Sequence, residues 1–160
     1  MSTSGSGLDL LLDLRQRGPG AVGVGGLLDM RLDHVEPGRV AFTLRTKPTF
    51  ANPMGTLHGG ITATLLDSAM ACAVMSQLPA GVDSTTVDLS VTYLRPVSTD
   101  GRALRAEGEV VHVGRTIATA RGEVRDDRDR VIATAVTTCI VSPPPEARPS
   151  IPPRPEEGAA

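Results

Sequence analysis

One stretch of helical periodicity interrupts a chain that otherwise alternates with a period of two. Leu57, Ile61, Leu65, Leu66, Ala69, Met70, Ala73 and Val74 recur at three- and four-residue spacing, which predicts a long helix over 57–78, ended by Pro79-Ala80-Gly81. Such a run is too apolar for a surface position, so the remaining elements must wrap it. It is also too broken by Thr, Asp, Ser and Gln to span a bilayer.

The wrapping elements read as strands. Residues 27–35 and 39–45 form a pair joined at Glu36-Pro37-Gly38. After the helix, Val87, Leu89, Val91 and Tyr93 alternate with Thr86, Asp88, Ser90 and Thr92, the pattern of a half-buried strand stopped at Arg95-Pro96. Residues 102–113, 116–125 and 130–141 give three more, linked by Gly114-Arg115 and by 126–129, connections short enough for antiparallel hairpins. The expected class is α+β, one antiparallel sheet curled around one central helix. A ferredoxin-like sandwich would need a second full-length helix between the later strands, and the sequence offers none. A short helix over 8–17 and a glycine-rich lead make residues 1–26 an N-terminal extension. The domain covers 27–142, and the Pro-, Glu- and Arg-dominated stretch 143–160 is expected to be a disordered tail.

Composition narrows the function. At 160 residues a single domain with a real core is expected, and a net charge of -2 gives no footprint for nucleic acid or an anionic membrane. Phe42, Phe50 and Tyr93 are the only aromatics, too few for a base-stacking surface. Cys72 and Cys139 stand far apart, as buried thiols of a reducing cytosol would. Residues 1–14 carry Asp9 and Asp13 and no basic segment, which is not a signal peptide, so a cytoplasmic location is expected. Gly18 to Gly23 matches G-x-G-x-x-G, but a helix precedes it and more glycines follow, so it reads as a loop. His34, His58 and His112 lack metal-ligand spacing, and neither a P-loop nor a G-x-S-x-G elbow occurs. No metal or cofactor is expected.

Chemistry concentrates in Asn52-Pro53-Met54-Gly55-Thr56-Leu57-His58-Gly59-Gly60 and in Asp67, the one carboxylate on the apolar helix. Gly59 and Gly60 open the helix, where backbone N–H groups lack intrahelical partners and the dipole is positive. Without side chains they let a carbonyl oxygen approach as it becomes an oxyanion, and Asn52 offers a further N–H. Equally, the glycines allow close packing and Asn52 caps a turn. Asp67 is either a base or nucleophile, or the structural partner of an arginine such as Arg95 or Arg115. His58 either polarises a substrate or, the favoured reading, hydrogen-bonds the loop over 46–55. His58 and Asp67 lie nine residues apart, which is about 900° of helical rotation and roughly 13 Å of rise. They point to opposite sides, so one helix cannot build a site from both. Either they are unrelated, or two copies of the chain complete the site.

The pattern N-x-x-G-x-x-H-G-G with an aspartate seven residues on, read as Asn52, Gly55, His58, Gly59, Gly60 and Asp67, resembles the hotdog-fold acyl-CoA thioesterases of the PaaI/4-hydroxybenzoyl-CoA type, especially the thioesterase superfamily member 2 subgroup. Thr86 to Pro96 and Gly114-Arg115-Thr116 carry it further. The resemblance implies an acyl-CoA or aroyl-CoA substrate and a homodimer assembling to a homotetramer, with sites between subunits. It implies that Gly59 N–H and Asn52 hold the thioester oxygen and that Asp67 activates water or attacks directly. Thr86 would help place the water, although strict alternation puts it on the polar face, where only a subunit interface brings it to the site. Arg95, Gly114 and Arg115 would approach the CoA moiety. A hotdog hydratase or dehydratase using His58 beside Asp67 is an alternative. A non-catalytic acyl-CoA-binding regulator is another, but the single short N-terminal helix supplies no DNA-binding motif.

Overall fold

The computed structural model describes residues 5–18 and 23–142. Helices α1 (Gly7–Arg17) and α2 (Gly23–Leu27) lead into strands β1 (Arg31–Glu36) and β2 (Arg39–Arg45). A 3-10 turn, Pro48–Phe50, precedes the long helix α3 (Gly59–Met75). Strands β3 (Asp83–Tyr93), β4 (Ala103–Val113), β5 (Ile117–Asp126) and β6 (Val131–Ser142) follow. All six strands form one antiparallel sheet in the order β1-β2-β4-β5-β6-β3. This is the hotdog architecture: the sheet curls around α3, whose Leu65, Leu66, Met70 and Val74 are fully buried. Each such side chain removed from water stabilises the fold by about 1.5–3 kcal/mol.

The inner sheet face is made of small residues where the helix crosses it. Ala106, Ala118, Ala120 and Ala133 are buried there. A Cβ on Gly108 of β4 would stand 2.5 Å from the backbone of Ala69, so glycine at this position lets α3 touch the sheet directly. The outer face carries paired charges instead, including Arg121–Glu109 and Arg125–Glu123. Exposed pairs like these contribute little each.

The structure departs from the periodicity in four places. The expected first strand starts later, at Arg31, because Gly23–Leu27 turns helically and Met30 N–H bonds Gly25 O. The central helix spans 59–75 rather than 57–78: His58 caps its start, while Ser76 caps its end with its N–H on Cys72 O and its hydroxyl donating to Ala73 O. Strand β3 begins at Asp83, ahead of the alternating run. Within it the register slips: Thr86 pairs with Cys139 but Asp88 pairs with Thr138, leaving Val87 as a bulge. Residues 19–22 of the glycine motif and the tail over 143–160 lie outside the described residues.

Candidate active site

At the head of α3 the capping histidine does an unusual job. The His58 Nδ1 accepts the Gly60 N–H at 2.9 Å, and the His58 backbone N–H bonds Phe50 O. With Nδ1 accepting, a neutral His58 carries its proton on Nε2. The expectation that the imidazole ties down the preceding loop is therefore corrected: the backbone does that, and the ring caps its own helix. Gly60 N–H is thereby used, whereas Gly59 N–H has no hydrogen-bond partner among the described residues. It stands at the positive end of the helix, available to an incoming oxygen.

Asn52 organises the approach to that point. Its Oδ1 accepts the Met54 and Thr56 N–H groups, and its Nδ2 donates to Thr56 Oγ1. The side chain thus caps the turn, with one amide hydrogen remaining for a ligand. Tyr93 closes the other side. Its hydroxyl donates to Gly59 O at 2.8 Å, and its ring lies 3.1 Å from where a Gly59 Cβ would be. Gly59, Thr62, Tyr93, Leu94 and Arg95 line part of a pocket of about 300 Å3. Alternation places Tyr93 in a strand and the resemblance includes it in the Thr86 to Pro96 run, but neither gives it a role; being the sole tyrosine of the chain, at a strand end, was the available signal.

Two helical turns further on, half-buried Asp67 has no arginine partner among the described residues. Its Oδ1 accepts the Thr86 hydroxyl at 2.9 Å. This overturns the expectation that Thr86 faces away and needs a subunit interface to reach the acid. The Val87 bulge shifts the alternation by one residue, so Thr86 shares the inner face with Leu89 and Val91, while Val87 is 54% exposed. Two thiols flank the carboxylate. Burial, and secondarily the Asp67 charge, pushes the Cys72 thiol up to about 12. Burial also raises Cys139, whose Sγ lies 3.9 Å from Thr86 Oγ1.

A single chain does not bring all these groups together. Asp67 and Gly59 are separated by eight residues of one helix, about 12 Å along its axis. Arg95, whose guanidinium donates to Val131 O, stands at the Gly59 end. Gly114 and exposed Arg115 sit in the β4–β5 turn, beside the row Ala118–Cys139–Thr86 at the Asp67 end. Both ends border β3, an edge of the sheet. Among the described residues no group of His, Cys, Asp and Glu is placed to hold a metal, and no helix is long and apolar enough to cross a membrane.

With this geometry in place, comparison with known proteins is informative. The family model described as "Thioesterase superfamily" matches residues 54–133, half of the chain. A Halobacterium salinarum protein carrying an esterase name is 48% identical over 88 residues, 54% of this chain and 56% of its own length. Human acyl-coenzyme A thioesterase 13 is 33% identical over 82 residues, 51% of this chain and 57% of its own. The chain thus spans little more than half the length of these relatives. A Streptococcus mutans protein solved bound to acetyl CoA superimposes with a TM-score of 0.66 at 28% identity, covering 72% of this chain and 90% of that one.

Proposed function

The chain belongs to the thioesterase superfamily, and we propose that it hydrolyses an acyl- or aroyl-CoA thioester to the free acid and CoA. Water attacks the carbonyl carbon as Asp67 takes its proton, and Thr86 holds the carboxylate in place. Negative charge on the carbonyl oxygen meets Gly59 N–H and the remaining Asn52 amide hydrogen. The C–S bond then breaks and CoA departs as the thiolate. His58 serves by capping α3 and fixing where Gly59 points. Arg95, Gly114 and Arg115 contact the CoA moiety.

One observation carries the reading: Gly59 and Asp67 face the same strand, an edge of the sheet among the described residues, from its two ends, through Tyr93 and Thr86. An exposed edge of 11 residues is a template for pairing with a second copy. Antiparallel pairing of two β3 strands about Ser90 sets Leu89 opposite Val91 of the partner subunit. Since the two bulge residues count as one, Thr86 then faces Tyr93 of the partner subunit. Each pair of chains gains two sites, with the carbonyl-binding half from one protomer and the acid from its partner, and with Arg95 and Arg115 converging on each. Two such dimers assemble into the homotetramer. The reaction needs no cofactor and takes place in the cytoplasm. The domain that carries it spans 27–142.

The test is thiol release from a panel of acyl-CoA esters. Wild type releases CoA, and Asp67→Ala loses about 10²- to 10⁴-fold in kcat, the usual worth of a positioned base. Mixing Asp67→Ala with Gly59→Val protomers restores about a quarter of wild-type activity if chains pair at random, because half the dimers are mixed and each holds one intact site. Full activity in Asp67→Ala, or no restoration on mixing, would sink the two-chain site. In labelled water, a base puts single-turnover label in the product acid alone, and label in Asp67 would show direct attack by its carboxylate instead.

A further inference from the structure

Cys139 is fully buried on β6, directly opposite Thr86 in the β3–β6 register. Its Sγ and the Thr86 Oγ1 are 3.9 Å apart, within reach of a thiol hydrogen bond. Counting hydrogens gives the direction. An ionised carboxylate only accepts, and a hydroxyl has a single hydrogen to give. That hydrogen goes to Asp67 Oδ1, 2.9 Å away, so Thr86 Oγ1 turns its lone pairs toward the sulfur. Burial, together with the nearby Asp67 charge, keeps the thiol protonated despite the Thr86 and Thr137 contacts. The thiol is therefore the donor.

We propose that Cys139 is a positioning residue: its S–H donates to Thr86 Oγ1 and so holds the Thr86 hydrogen on Asp67. This rests on the reading of Asp67 as the group that activates water. Without the thiol the hydroxyl is free to swing among its rotamers, and the carboxylate keeps its partner only part of the time. A sulfur that merely filled space would leave the Thr86 hydroxyl where it is.

Infrared spectroscopy of the Cys72→Ala protein, which has one thiol left, reads the contact without any assay. The S–H stretching band is expected at lower frequency than in Cys72→Ala/Thr86→Val, where the acceptor is gone. An unmoved band overturns the proposal. Kinetics reads the consequence: Cys139→Ala lowers kcat about two- to tenfold at unchanged KM, the worth of one neutral hydrogen bond. Cys139→Ser, which keeps a donor, stays near wild type. In a Thr86→Val background the Cys139→Ala loss disappears, since the residue acts through Thr86. Equal losses in both backgrounds overturn the positioning role. A wild-type protein that cleaves no thioester strikes the hydrolytic reading instead, and that result is distinct from an unmoved band.

Discussion

The two ends of strand β3 meet helix α3 by different means. At the Gly59 end an aromatic ring lies against a bare backbone, and a contiguous run of sequence supplies the loop, cap and glycine. At the Asp67 end a carboxylate meets a hydroxyl that regular alternation would have turned outward, and a bulge brings it in. The first end depends on what is missing, a side chain at position 59. The second sets aside one residue too many, Val87, so that Thr86 keeps its place facing the acid. A site can thus be specified by local composition at one end and by register at the other, with one helix carrying both.

Filling the space at 59 should break the first end most severely. A valine there collides with the Tyr93 ring, 3.1 Å from the Cβ position, and displaces the free N–H. The expected loss in kcat is about 10²- to 10³-fold, as for removal of one oxyanion donor. Steady-state thiol release measures it. Thr86→Val should break the second end less: it takes the hydroxyl from Asp67 and costs about tenfold in kcat, because the acid itself remains. Deleting Val87 removes the extra residue while leaving Thr86 opposite Cys139 and facing Asp67, so kcat of that variant should stay near wild type. A deletion variant as impaired as Thr86→Val would show that the bulge does more than accommodate one residue.

The smallest effect sharpens the comparison by sparing both ends. Asp126 lies at the end of β5, opposite Leu104, and its buried carboxyl accepts from Arg130. That hydrogen bond is the main cause holding its pKa at about 2. The folded value is below the unfolded one of about 3.9, so its contribution to stability is present above pH ~4 and fades as pH falls toward ~2. Asp126→Asn should therefore unfold at a lower temperature than wild type at pH 7, with the gap closing on acidification and kcat unchanged. Thermal melts across pH check this.

These ends also differ in how far they were legible. The apolar helix, the Pro37-Gly38 hairpin and the strand count followed from periodicity and turn chemistry, and Gly38 adopts the positive φ of 80° that such a turn requires. The glycines at the head of α3 were legible too. The His58 ring was assigned to the wrong partner, because a histidine replacing the usual Ser, Thr, Asp or Asn cap leaves no pattern to read. Thr86 was placed on the wrong face because a bulge has no signature in alternation: Val87, Leu89 and Val91 look continuous, and only the pairing with β6 reveals the slip. The glycines of α2 read as a loop since helix propensity is lowest there, and neighbouring packing at buried Leu28 and Met30 outweighs it.

Gly108 touches none of the groups discussed above, yet it governs them all. Where α3 rests backbone to backbone on β4, the helix has a fulcrum two residues beyond Asp67. A side chain at that point would pry the rod off the sheet, tilting the carboxylate and the distant N–H together. A position remote from any ligand is thus where substitution should be least forgiven, since it moves two half-sites at one stroke and, in a pair of chains sharing their sites, spoils both.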